Sequence, residues 1–171
     1  MNHNLHDGMN RWFAAELRVR YSECDQMGVV YHGNYLNWFE VGRTEMIRES
    51  GHTYRSMEDA GVLLPVTDLN VNFRQPANYD DKIVVFTRMT VFTKLRLSYT
   101  YEIRRWDADA SANRDPMKVW RMGEVLPGEL LVTGETSHVW LSKDWKPVRL
   151  DRVLPELYDT LSSLFTGDGK R

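Results

Sequence analysis

At 171 residues, the chain is long enough to bury one sizeable core and short for two domains. Its 42% hydrophobic and 27% charged residues are ordinary for a globular protein. A net charge of −2 argues against non-specific nucleic-acid binding, which needs a basic surface to release counterions from phosphates.

No apolar run approaches the roughly 18 residues of a membrane span. One cysteine, Cys24, excludes an internal disulfide and suits a reducing compartment. Residues 1–13, MNHNLHDGMNRWF, are polar and lack both a charged leader and an apolar signal core. They read as a flexible leader on a cytoplasmic protein, with Trp12 and Phe13 able to dock. Residues 14–171 then read as a single domain.

A short strand opens that domain, with Leu17, Val19 and Tyr21 on one face and Arg18 and Arg20 on the other. It runs into a polar turn carrying Asp25, an apolar crossing Gly28-Val29-Val30-Tyr31, and then His32-Gly33-Asn34. A long helix follows, capped by Gly33 or Asn34 and stopped near Gly51. Its stripe is Tyr35, Leu36, Phe39, Val41, Gly42, Met46 and Ile47. Trp38 widens the apolar face, and Gly42 in mid-helix predicts close approach of another backbone, so this helix should be wrapped by a sheet.

HTYRSMEDAG reads as a second short helix, and Val62 to Phe73 as a strand with Leu69, Val71 and Phe73 alternating against Asn70 and Asn72. Lys82–Phe92 and Leu95–Arg105 form the clearest hairpin; Arg96, Ser98, Thr100, Glu102 and Arg104 make its solvent face. Residues 106–127 break the rhythm and read as an insertion, an elongated hairpin or flap. Leu130 to Leu141 is the last long strand, its Gly134 fitting a bulge or close packing on the helix. A terminal helix begins near Pro155. A strand, a long helix and then a run of strands cannot make a parallel βαβ fold, so the class is antiparallel α+β. One such sheet leaves an open edge, and pairing with a second copy is expected.

The chemistry concentrates between Asp25 and Tyr35. Asp25 places a carboxylate on a loop facing the start of a helix, where unpaired backbone N–H groups can hold a negative oxygen. An aspartate in such a place is otherwise a common turn residue. His32 is either a histidine at the edge of the core or part of the helix-start site. Gly28 permits a tight crossing, and Val30, Tyr31 and Tyr35, with Trp38 and Phe39, either line a substrate pocket or are plain core. Cys24 reads as a small packing residue rather than a nucleophile paired with His32. Glu40 and Glu45 read as partners of Arg43 and Arg48. His138 and Glu135 have opposite strand parity and form no cluster. No residue set has zinc spacing, and no phosphate-loop or dinucleotide motif is present, so neither metal nor dissociable cofactor is expected.

The run D-x-x-G-V-V-Y-H-x-x-Y, with Arg43 and Glu45 following, resembles the active-site segment of the 4-hydroxybenzoyl-CoA thioesterase family. The His32 form is similar to the acyl-CoA thioesterases found near the Tol-Pal genes. The resemblance implies a hotdog fold, a long helix wrapped by an antiparallel sheet, assembled as dimers or as dimers of dimers (homotetramers). It implies hydrolysis of an acyl-CoA thioester, with Asp25 as nucleophile or general base and the backbone N–H of His32 polarising the carbonyl. Gly28, Val30, Tyr31 and Tyr35 then fall beside the acyl group. Lys94, Arg96 and Arg74 either meet the nucleotide phosphates of coenzyme A near a subunit boundary or are solvated strand charges. Acyl-carrier-protein thioesterase, hotdog dehydratase and non-catalytic acyl-CoA-binding module are the rival readings.

Overall fold

The computed structural model describes residues 9, 11–106 and 120–167. The elements run β1 (Arg11–Arg18), a 3-10 turn (Tyr21–Glu23), α1 (Asn34–Glu49), α2 (Tyr54–Asp59), β2 (Val62–Leu63) and β3 (Val66–Phe73). Then come β4 (Lys82–Phe92), β5 (Arg96–Arg105), β6 (Trp120–Arg121), β7 (Glu129–Val139), β8 (Leu141–Ser142), α3 (Leu150–Val153) and α4 (Pro155–Thr166). Six strands make one antiparallel sheet in the order β3-β7-β5-β4-β1-β6, and β2 pairs with β8 apart from it.

Alternation in β5 does what its pattern dictates: Leu97, Tyr99, Tyr101 and Ile103 are buried on the face that receives α1. The helix turns Tyr35, Trp38, Phe39, Gly42, Met46 and Ile47 onto that face, and Phe39 stacks on Tyr101 at 4.4 Å between ring centroids. Close approach explains both interior glycines. A Cβ on Gly42 would overlap Thr87 Oγ1 and Val85, and one on Gly134 would overlap the Phe39 ring. The sheet therefore curls around α1, which is the α+β hotdog arrangement.

Several expectations change. The leader stops short of residue 13, because Arg11, Trp12 and Phe13 belong to β1 and pair with β4 and β6; residues 1–8 and 10 lie outside the described residues. The strand at Leu17–Tyr21 ends at Arg18, and Tyr21 is exposed because the Glu23 carboxylate takes the Arg20 N–H and folds the chain into the 3-10 turn. Leu36 and Val41 lie on the exposed side of α1.

The strand over 62–73 divides between Leu63 and Val66, where Pro65 has no N–H for a ladder. In β3 the apolar side chains face inward, yet Val66, Leu69 and Phe73 are 46%, 43% and 55% exposed, since the strand is the sheet edge and overhangs the helix. Of the 106–127 segment, residues 107–119 lie outside the described residues. Its base pairs through β6 with β1 rather than with β5. There Trp106, Trp120 and Leu126 cover Val84 and Phe86 on the outer face of the sheet. Among the described residues no helix is long and apolar enough to cross a membrane.

Candidate active site

The site is built by a loop that returns on itself. An isolated bridge joins Cys24 to Val30, Asp25 N–H donates to Val29 O at 2.9 Å, and Gly28 N–H donates to Asp25 O at 3.0 Å. Gly28 adopts φ of 78°, the left-handed region open to glycine, so the segment Asp25–Val29 turns without strain. Asp25 Oδ1 accepts the N–H of Met27 at 2.8 Å, which fixes its carboxylate, while Oδ2 takes no hydrogen bond from the described residues. The loop is held on the fold by Val30 N–H donating to Ala77 O and by Ala77 N–H donating to the Tyr35 hydroxyl, both at 2.9 Å. Burial pushes the Tyr35 phenol above its ordinary range, with its Ala77 bond opposing, so it stands as a neutral anchor rather than an acid.

At the start of α1 the N–H of Tyr31 donates to Glu23 O and that of Asn34 donates to Tyr31 O, both at 2.9 Å. The N–H groups of His32 and Gly33, between them, meet no acceptor among the described residues. The His32 ring is exposed and lies against Tyr31, 4.3 Å between centroids. Asp25, His32, Val30, Tyr35, Phe73 and Arg74 all line one cavity of about 270 Å³. Its wall is mostly apolar, which strengthens any hydrogen bond formed inside it.

Sequence reasoning placed Asp25, His32, Val30 and Tyr35 together, and they meet. Gly28 shapes the turn and Tyr31 is half exposed beside the His32 ring; neither lines the cavity. Lys94 and Arg96 are elsewhere. Arg96 pairs with Val139 and Phe73 with Val132 of the same strand, seven positions apart, or roughly 23 Å. Lys94 is ion-paired with Asp151 at 3.4 Å, and Arg96 lines a separate cavity of about 410 Å³ with Thr67, Ser98 and Ser137. Arg149 and then Lys94 hold the Asp151 carboxyl down at about 2.

Cys24 packs against the core as a small residue, and Glu40 and Glu45 pair with Arg43 and Arg48. Among the described residues no three His, Cys, Asp or Glu side chains converge as a metal site would require. Sequence reasoning missed Phe73 as a cavity wall and Glu23 altogether. Phe73 reads as an ordinary alternating strand residue until the strand is known to end at the loop.

Asp25 and His32 thus line one small, mostly apolar cavity on a sheet curled round one long helix, the hotdog arrangement. Known proteins point the same way. A model of the thioesterase superfamily matches residues 27–110. The chain is 36% identical to YneP of Bacillus subtilis over 142 residues, 82% of this chain and 88% of that protein. It is 32% identical to the acyl-CoA thioester hydrolase YbgC of Escherichia coli over 91 residues, 53% of this chain and 68% of YbgC. The crystal structure of DHNA-CoA thioesterase from Staphylococcus aureus superposes with a TM-score of 0.73 at 37% identity, covering 94% of this chain and 96% of that one. The chain belongs to the thioesterase superfamily and is a thioester hydrolase, as the run from Asp25 to Tyr35 implied.

Proposed function

We propose that the protein hydrolyses an acyl-CoA thioester to the free acid and coenzyme A, with Asp25 and the start of α1 as the catalytic machinery. The observation that carries this is that Asp25 and His32, whose backbone N–H has no acceptor among the described residues, line one cavity. As general base, Asp25 takes a proton from water while the water oxygen adds to the thioester carbon. The oxyanion rests on the N–H groups of His32 and Gly33. Collapse breaks the C–S bond, and the thiolate regains the proton from Asp25. As nucleophile, Asp25 adds to the same carbon, expels the thiolate and leaves a mixed anhydride that water opens. Either route is complete with water, one carboxylate and backbone donors, so no dissociable cofactor enters. Cys24 has no partner thiol within the chain, in keeping with a cytoplasmic setting.

Assembly belongs to the same reading. Antiparallel pairing of β3 with β3 of a second copy would cover Val66, Leu69 and Phe73 and satisfy the open ladder. It would also reverse the strand, setting the Thr67 end of one copy, with Arg96 close by, next to the Phe73 end of the other. Lys94 and Arg96 would then serve the partner's site. The test is thiol release across short, long and aromatic acyl-CoAs; similarity to DHNA-CoA thioesterase puts aromatic acyl groups first. Asp25→Asn is the control. Turnover by the wild type on at least one substrate and its loss in Asp25→Asn are expected. Equal turnover by both proteins would overturn the site.

A further inference from the structure

Glu23 accepts four hydrogen bonds, and the donors are the parts that must be held in register for catalysis. Oε2 accepts the N–H of Arg20 at 2.7 Å, where the chain leaves β1. Oε1 accepts the indole N–H of Trp38 at 3.0 Å, in the second turn of α1. The Glu23 carbonyl accepts the N–H of Tyr31 at 2.9 Å, where the crossing ends, and the side-chain Nδ2–H of Asn34, also at 2.9 Å, at the first residue of α1. Asp25 follows Glu23 by two residues, and His32 follows Tyr31 by one. The loop carrying the carboxylate and the helix end carrying the oxyanion donors are thus both referenced to one residue. By occupying the Tyr31 N–H, Glu23 also leaves that of His32 as the first free donor of the run.

The geometry points to Glu23 as a positioning residue that fixes the spacing between the Asp25 carboxylate and the His32 N–H, an inference that rests on the thioesterase reading of that site. The residue type is demanded by the chemistry. Both carboxylate oxygens accept N–H donors, and an ionised acceptor makes the stronger bond. Glutamine has the same shape but only one such oxygen, so its amide must face either Arg20 N–H or the Trp38 indole with a donor. Trp38 is 2% exposed, so its N–H has little access to water as an alternative partner.

Glu23→Gln should lower kcat by roughly 10- to 100-fold, the scale set by displacing a catalytic group by about 1 Å, with KM within about twofold of wild type. The partner variant is Trp38→Phe, which removes the donor that the glutamine amide would oppose. In that background the introduced glutamine can turn its oxygen to the Arg20 N–H, so the double variant should turn over no more slowly than Trp38→Phe alone. A lone fall in kcat together with this non-additivity supports the inference. Losses that add, or that come with an equal rise in KM, overturn it, because a merely structural residue would give that pattern.

Unfolding midpoints are measured alongside. Should Glu23→Gln unfold at the assay temperature, Asn34→Ala, which deletes the side-chain bond to the Glu23 carbonyl together with an exposed bond from Asn37, carries the same test, with Asn37→Ala as the control for the second bond. A kcat lower by about threefold or more at unchanged KM supports the role, and a wild-type kcat overturns it. An active wild type with an unimpaired Glu23→Gln removes the role of Glu23 alone. A wild type inactive on every acyl-CoA removes the thioesterase reading and this inference together.

Discussion

Asp25 and His32 sit at the same cavity but contribute different atoms. In the proposed mechanism Asp25 acts through its side chain, whereas His32 offers a backbone N–H that any residue there would keep. Asp25→Asn should therefore reduce kcat by at least about 100-fold, the usual scale for losing a positioned base, with little change in affinity for a non-hydrolysable acyl-CoA. His32→Ala should lose distinctly less in the same thiol-release assay. Single-turnover hydrolysis in labelled water separates the two mechanisms: label in Asp25 marks an anhydride, and label confined to the acid product marks a general base. Gly42 is a second place where one residue decides the outcome. Alanine there gains about 1 kcal/mol of helix propensity, but its Cβ must displace Thr87 Oγ1 and Val85, and overpacking costs about 1–3 kcal/mol. Gly42→Ala should be destabilising on balance, read as a lower urea midpoint at an unchanged slope.

At the scale of elements, β7 and β5 carry a polar chain through the interior. The Tyr101 hydroxyl lies 2.8 Å from Thr136 Oγ1, which lies 2.8 Å from His138 Nε2, while Nδ1 lies 3.4 Å from Leu64 O. Burial first, and then the nearby Arg43 guanidinium, push the His138 imidazole down to about 4 from its ordinary 6.5. The folded protein thus binds a proton on His138 less readily than the unfolded chain. Its contribution to stability is complete above pH 6.5 and is lost as the pH falls from 6.5 to 4. The gap corresponds to about 3 kcal/mol. Urea unfolding of wild type and His138→Gln at pH 7 and pH 4.5 checks this: the variant should lose less stability between the two. An equal loss in both proteins would mean that carboxylates alone account for the acid sensitivity.

For the whole molecule, the decisive surface is the β3 edge. An open ladder flanked by Val66, Leu69 and Phe73 invites a second copy. Sedimentation at micromolar concentration should show a dimer or a dimer of dimers, and Leu69→Lys should shift it toward monomer while circular dichroism stays native. A monomeric wild type would rule out the β3 pairing and, with it, service of the partner's site by Arg96.

Much of this was legible in the chain itself. The 3.6-residue stripe of α1, the alternation in β4 and β5, the Pro155 start of α4 and the Asp25–Tyr35 motif are local signals, and each depends only on the period or chemistry of neighbouring residues. Gly42 and Gly134 even announced the close packing of helix on sheet. What the sequence could not carry is which distant residues share a place. The Glu23–Trp38 bond spans fifteen positions with no spacing rule behind it. Phe73 joins the cavity only because β3 ends there, and Lys94 and Arg96 fall away from it because β5, parallel to β3, begins at the opposite end of the sheet. Strand identity follows from side-chain period, but strand order, edges and ends follow from what packs against them, and only the tertiary structure decides that.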